Sequence, residues 1–285
     1  ERFLKRFPTV RHLADAPEED VVALWSGLGY YSRARNLRAA ARQIVHDHDG
    51  GFPRDPQVAR ALKGVGPYTA NAVTSIACGV PAAVVDGNVR RVLSRLLARR
   101  AVSPALDQAD ADRLLSRNAP GDWNEAMMEL GATICTPLSP ACSQCPVRKD
   151  CRGQKNPGRW SRKAPATSPK PSPMILAFVQ RGSRVLLVRN PEGGLMGGLL
   201  DLPRTAIPSP PAPSLEDRFP EAFTLAPAPV AKIRHAVTRY RIAAEVFPAK
   251  LRPGARVPAA EWREIDELEA LALSGLTRKA LRALK

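Results

Sequence analysis

The chain has 285 residues, 44% of them hydrophobic, and a formal net charge of +16 with a pI near 10.3. That length and apolar content suffice for two domains with separate cores, and so large a positive excess argues for a polyanionic partner, because each phosphate neutralised by Lys or Arg releases a counterion. No stretch approaches the roughly 18 consecutive apolar residues of a membrane-spanning helix, so a membrane partner is not expected.

In chain order, "ERFLKRFPTV" is charged, lacks the apolar h-region of a secretory signal, and reads as an amphipathic helix with Phe3, Leu4 and Phe7 on one face. It starts inside that helix without an initiating Met, so an N-terminally incomplete chain is expected. "EEDVVALWSGLGYYSRARNLRAAARQIV" has an acidic start, helical spacing of Leu and Val, and a break at Gly27 to Gly29. "NVRRVLSRLLARR" puts Val89, Val92, Leu93, Leu96 and Leu97 on one stripe, and "WNEAMMELGATIC" is a third helical segment. Strand patterns are missing from this half. Residues 154–173, "QKNPGRWSRKAPATSPKPSP", read as a basic, semi-extended linker. Beyond it, "MILAFVQRGSRVLLVRN" predicts a hairpin and "YRIAAEVFPAK" a further strand, while "EWREIDELEALALSGLTRKALRALK" closes with helical periodicity. The expected fold is multidomain: an all-α domain over 1–153, a linker over 154–173, and an α+β domain over 174–285. No internal repeat is evident.

The residues that carry chemistry cluster in the first half. In "LKGVGPYTANAV", Gly64 and Gly66 tolerate positive φ and leave no side chain between backbone and ligand. A helix–turn–helix of this kind presents the amides of Gly64, Val65 and Gly66 at a helix N-terminus, suited to a phosphate, although an isolated G-x-G is as readily a plain helix corner. In "VPAAVVDGNVRRVL", Asp86 stands at the start of an amphipathic helix, where an aspartate is a favoured N-cap; a capping role and a catalytic one are compatible, since a capping carboxylate is held rigidly. Cys135, Cys142, Cys145 and Cys151 fall within "CTPLSPACSQCPVRKDC", while Cys78 stands apart and reads as a buried structural thiol. A dense quartet in a long basic chain argues for a metal centre in a reducing compartment, not for a disulfide framework. Zinc accepts four thiolates, but its sites commonly pair two short hooks, and here only Cys142 and Cys145 form one.

"LKGVGPYTANAV" resembles the helix–hairpin–helix signature of DNA repair glycosylases, usually Leu-Pro-Gly-Val-Gly, with Lys63 in place of the proline. The cysteine spacing resembles the iron–sulfur loop of that superfamily, which implies a 4Fe–4S cluster on Cys135, Cys142, Cys145 and Cys151, with Arg148 and Lys149 of the loop fixed for phosphate contact. Tyr68 occupies the position of the lysine of the glycosylase/lyase branch, and a tyrosine cannot form the Schiff base a lyase needs. "LWSGLGYYSRARNL" and "WNEAMMELGATICTPLSPACSQCPV" are similar to segments of the adenine DNA glycosylase branch. "VLLVRNPEGGLMGGLLDLP" and, more weakly, "IRHAVTRYRI" resemble that branch's Nudix-like C-terminal domain. No Arg-Glu-x-x-Glu-Glu helix follows "GGLLDLP", so binding without hydrolysis is expected of this domain.

The resemblance implies a bacterial, cytoplasmic base-excision enzyme, monomeric on duplex DNA, that removes adenine opposite 8-oxoguanine or guanine. By the same resemblance Asp86 faces the sugar of the flipped nucleotide, Tyr68 and Asn88 order the site, Tyr30 wedges beside 8-oxoguanine, and Gly64, Val65 and Gly66 hold a phosphate. The lesion-reading loop, typically Phe-Ser-His, is Val237, Thr238 and Arg239 here, with Thr238 keeping a hydroxyl. The family's general acid is a glutamate in a Ser-Glu-(Ile/Val)-Met-Leu-Gln-Gln-Thr segment that does not occur in residues 1–285. Glu125 and Glu129 are expected to face solvent, and the polypeptide as given is expected to be inactive or nearly so. Other readings are a non-catalytic lesion-binding protein and a glycosylase/lyase for oxidised pyrimidines.

Overall fold

A computed structural model describes residues 1–25, 27–99, 103–160, 168–191, 196–205 and 222–284. The linker read over 154–173 and the "NPEGG" segment of the second half fall in part outside the described residues. The chain divides into two compact units, one made of Glu1–Arg38 with Thr167–Lys285 and the other of Ala39–Ala166. Among the described residues no helix is long and apolar enough to cross a membrane.

The described helices begin with α1 (Arg2–Arg6), α2 (Val10–Asp15) and α3 (Glu18–Leu24), and continue in α4 (Tyr31–Asp47), which passes from one unit into the other. The break between α3 and α4 falls at the predicted glycines, where Gly27 and Gly29 have φ of 94° and 72°. In α1, Phe7 is buried and Phe3 stacks edge-on against Phe7 and Trp25, at 5.1 and 5.7 Å between ring centroids. Leu4 instead points outward, 69% exposed, so the apolar face is narrower than the sequence predicted.

The contiguous unit carries α5 (Pro56–Ala59), α6 (Pro67–Cys78), α7 (Gly87–Leu96), α8 (Pro104–Leu114) and α9 (Pro120–Glu129), which runs on into a π-helical turn, Leu130–Ile134. The predicted stripe of α7 packs as expected: Val89, Val92 and Leu93 meet Ala83, Ala111, Met127 and Leu130 in one core cluster, while Leu96 and Leu97 are only half-buried. Between α6 and α7 the chain runs extended for several residues. Its backbone groups are taken up by side-chain amides: Asn124 accepts from Val84 N at 2.9 Å and donates to Ala82 O at 2.9 Å, while Asn71 and Gln108 both donate to Ala83 O. Asn124 is fully buried and its remaining donor reaches Ser75 Oγ, so nothing polar on it is left unpaired. This bracing delivers the chain rigidly to the start of α7.

The discontinuous unit contains two sheets. In the first, the long strand β7 (Tyr240–Leu251) pairs with β1 (Lys170–Phe178) in parallel and with β5 (Phe223–Leu225) and β6 (Ala231–Val237) antiparallel. In the second, β3 (Arg184–Arg189) pairs with β2 (Gln180–Arg181), β4 (Leu200–Asp201) and β8 (Ala260–Glu264). The predicted hairpin is therefore confined to β2 and β3, because the main partner of β1 lies far along the chain. β1 begins at Lys170, inside the segment read as linker; Ser172, Met174 and Leu176 alternate inward along it, and Pro171 and Pro173 are tolerated on an outer strand. The C-terminal stretch read as helical starts as β8, passes through a short 3-10 turn at Asp266–Glu269, and has its α-helix in α10 (Gly275–Ala283), capped by Ser274. A core of Met174, Leu176, Val185, Leu187, Ile233, Ile242 and Leu276 joins the sheets to α10. Asp201, 1% exposed, is held by Asn190, Arg204, Ser274 and Thr277, which fastens β4 to the start of α10.

Candidate active site and metal centre

The hairpin between α5 and α6 is built by its glycines. Gly64 has φ +76°, where a β-carbon would be strained. Gly66 is the N-cap of α6, with Pro67 at the first helical position, and a β-carbon built on Gly66 would meet nothing within 4 Å. The backbone here is thus open to close approach. The Val65 amide already donates to Leu62 O at 3.0 Å and the Lys63 amide to Gln43 Oε1 at 2.6 Å, so neither is open to a ligand at this turn. Tyr68, the second residue of α6, is 45% exposed, and its hydroxyl donates to Met128 Sδ on α9 at 3.6 Å.

Asp86 caps α7. Its Oδ1 accepts from Val89 N at 2.6 Å and its Oδ2 from Asn88 Nδ2 at 3.2 Å. Such a cap is worth about 1 kcal/mol to a helix, and here it also fixes the direction of both carboxylate oxygens. The orientation of the Asn88 amide is itself determined, because Asn88 Oδ1 accepts from Arg91 Nη2 at 2.9 Å. The same guanidinium donates to Gly131 O at 2.6 Å and to Cys135 O at 2.7 Å. A β-carbon on Gly131 would fall 2.7 Å from Asn88 Cβ, so only glycine lets the π-helical turn approach the cap this closely. Burial lowers the Arg91 pKa; the neighbouring Cys135 opposes that, Arg95 adds to it, and Asp86 opposes it. A continuous chain of hydrogen bonds therefore runs from the Cys135 carbonyl through Arg91 and Asn88 to Asp86.

Cys135, Cys142, Cys145 and Cys151 line one hollow of about 350 Å³, together with Arg95, Arg148 and Gln154. Arg95, 2% exposed, organises it: Nη1 donates to Cys135 Sγ and O at 3.2 Å and to Thr136 O at 2.8 Å, Nη2 to Pro137 O at 3.0 Å, and Nε to Pro157 O at 3.0 Å. Burial pushes the Cys151 thiol up, a hydrogen bond from the Gly153 backbone works against that, and Cys135, Cys145 and Cys142 add to the rise. Among the described residues no group of three or more His, Cys, Asp or Glu is set to hold a single metal ion. Four thiols around one hollow would supply the four sulfur ligands that an iron–sulfur cluster takes. Arg148 and Lys149 are exposed on the loop, as are Glu125 and Glu129 on α9.

The other unit carries a separate pocket of about 1120 Å³, lined by Gly27–Ser32 and Arg35 on one side and by Met196, Gly197 and His235–Thr238 on the other. It brings together Tyr30 and Thr238, both singled out by resemblance. Both are non-glycine residues with positive φ, 47° and 51°, a conformation that turns their side chains out of regular structure. Tyr30 is 72% exposed. Arg35 Nη1 donates to Gly197 O at 2.9 Å across the pocket. His235 has its pKa lowered by burial and by Lys279, against an opposing effect of Asp201.

Sequence reasoning missed Arg91, Arg95 and Asn124. The arginines of α7 lie off the predicted apolar stripe, yet Arg95 is buried beside it. Its place next to Val92 and Leu96 on the helical wheel is the one local signal.

Residues 1–114 match the HhH-GPD superfamily of base excision DNA repair proteins, and residues 174–283 match the NUDIX domain. The chain is similar to an adenine DNA glycosylase of Homo sapiens, 32% identical over 346 residues, a match covering 98% of this chain and 63% of that protein. It is similar to one of Schizosaccharomyces pombe, 42% identical over 158 residues, covering 53% of this chain and 34% of that one. A solved structure of a thermostable thymine-DNA glycosylase matches with a TM-score of 0.51 at 29% identity, over 54% of this chain and 73% of that one. The chain thus spans less than two thirds of the human relative's length.

Proposed function

As the chain is a homologue of the adenine DNA glycosylases, with an HhH-GPD helical domain followed by a Nudix-like domain, we propose that it serves base excision repair by hydrolysing the N-glycosidic bond of adenine mispaired with 8-oxoguanine or guanine. One observation carries this reading: a carboxylate, Asp86, fixed through both oxygens at the head of a helix. Excision requires the nucleotide to be flipped from the stack. Departure of the base leaves oxocarbenium-like positive charge on the sugar, and a carboxylate already oriented, with no reorganisation left to make, stabilises it electrostatically. Asn88 positions that carboxylate. Tyr68 lines the approach without an amine, so the reaction stops at base loss and forms no Schiff base. Gly64 and Gly66 hold a backbone phosphate at the start of α6, and Arg148 and Lys149 add charge to the same polyanion. In the other unit, Tyr30 and Thr238 share a pocket, which supports their reading of the 8-oxoguanine.

A 4Fe–4S cluster on Cys135, Cys142, Cys145 and Cys151 would hold the loop, and no redox step is needed for hydrolysis. Arg95 orders that loop from beneath, and Arg91 ties it to Asn88. The proton that makes adenine a leaving group has no donor among the motif-matching residues of 1–285, and delivery of such a proton contributes about 10²–10⁴-fold. The 285-residue polypeptide is therefore expected to be nearly inactive, with at most slow excision.

Single-turnover assays on duplexes carrying A:8-oxoguanine, A:G and A:T, developed with and without added base, test the reading. Slow excision confined to the mispaired adenine, and abolished by Asp86→Asn, supports it. Strand cleavage without base would restore the lyase alternative. Selective binding of the A:8-oxoguanine duplex with no turnover at all would assign the chain to lesion binding alone.

A further inference from the structure

A second hollow of the Nudix-like region lies apart from the Tyr30–Thr238 pocket, measures about 310 Å³, and has no role in the reading above. Its apolar lining includes Phe178 at the end of β1, the buried Leu268, and Leu281 of α10. Arg278, Arg282 and Glu269 also line it, with Arg282 exposed at the rim. The same three charged residues border an adjoining cleft, where Arg2 and Arg6 of α1 and Asp20 of α3 join them. Arg6 pairs with Asp20 at 3.3 Å. Arginines thus outnumber carboxylates around the mouth, and an apolar chamber opens directly beside them.

We infer that this hollow binds a small amphipathic anion, its ring or short acyl body packed among Phe178, Leu268 and Leu281 and its one carboxylate, sulfonate or phosphate head set against Arg278 and Arg282. The volume is that of a small-ligand site, apolar with few polar groups. Burying the body contributes about 25 cal/mol for each Å² of apolar surface removed from water. Arg278 is held at the mouth, its Nη1 and Nη2 donating to Glu269 O at 3.4 Å and Leu271 O at 2.7 Å, with Arg282 beside it to meet the head. A nucleic-acid backbone meets only half of this chemistry: phosphates suit the arginines, but nothing on them enters the chamber. The inference rests on the fold of this unit and stands whether or not the chain excises adenine.

The test titrates the complete 285-residue chain with 1-anilinonaphthalene-8-sulfonate, and competes the dye with decanoate, decanol and duplex DNA. Expected are one saturable site and displacement by decanoate at concentrations about tenfold below those needed for decanol, the worth of one charge-assisted contact. Leu281→Trp, which fills the chamber, should remove the site. Arg282→Glu, at an exposed position, should weaken it about tenfold while leaving thermal melting unchanged; this variant decides the matter if Leu281→Trp fails to fold. Absence of a saturable site, indifference to Arg282→Glu, equal competition by decanol, or displacement by DNA but not by decanoate would each overturn the inference.

Discussion

The neighbourhood of Asp86 and the pocket of Tyr30 and Thr238 solve opposite problems. Around Asp86 every polar group named here has a partner, and the partners are themselves held: Asn88 by Arg91, Ala82 and Val84 by Asn124. The Tyr30 pocket is made where regular structure stops, with residues at positive φ on two different turns and a tyrosine mostly in solvent. Stabilising charge in a transition state demands a group that need not move, whereas reading a base demands shape and a few polar atoms at an accessible edge. Rigidity by satisfied hydrogen bonds suits the first, and strained loops on a sheet suit the second.

Substitutions can break or sharpen that contrast. The largest effect is expected at Asp86: replacement by Asn should lower single-turnover excision by about 10²–10³-fold while leaving affinity for the mispaired duplex nearly unchanged, as read by fluorescence anisotropy. Equal loss of binding would show the carboxylate to be structural. Next, Arg95→Ala should destabilise the contiguous unit by about 3 kcal/mol or more, since it opens a buried void and orphans the carbonyls of Thr136, Pro137 and Pro157. A urea melt measures this, and iron content and visible absorbance should fall with it. Third, Arg91→Gln should slow excision about tenfold, the worth of one charge-assisted hydrogen bond, with iron content retained; a wild-type rate would mean that Asn88 keeps its orientation unaided.

Smaller effects are expected in the Tyr30–Thr238 pocket. Thr238→Ala should reduce the preference for A:8-oxoguanine over A:G by less than about tenfold, because a neutral hydrogen bond contributes about 0.5–1.5 kcal/mol. His235 supplies the smallest. Its charged form is disfavoured in the folded chain, so below its ordinary pKa of 6.5 the unfolded chain binds more protons. The stability it contributes is complete above that pH and falls as the medium is acidified. His235→Gln should flatten this part of the pH–stability curve, and an unchanged curve would show that the neighbouring charges cancel the burial.

What could be read from the sequence follows how local each cause is. Asp86 announces itself because an N-cap acts on an amide only three residues away, Val89, and the cysteine quartet is legible because its spacing lies within one loop. Arg95 and Arg91 were missed because their acceptors lie 40 and 44 residues distant, at Cys135. The parallel pairing of β1 was hidden for the same reason, as its register begins at Lys170 with Tyr240. "EWRE" joins the sheet although its charges mimic helical spacing: Glu261, Arg263 and Glu264 remain half-exposed on a strand paired to β3.

The discontinuity of one unit has a consequence for how the chain is made. Ala39–Ala166 is a single stretch of sequence, so once its last residue has left the ribosome it holds everything its core requires. Residues Glu1–Arg38 emerge earlier but belong with Thr167–Lys285, and must wait for most of the polypeptide before their partners exist. Through that interval Phe7, Val21 and Val22, buried in the folded chain, belong to a unit that is still incomplete. Translation order thus makes Glu1–Arg38 depend on residues that leave the ribosome only after Ala166.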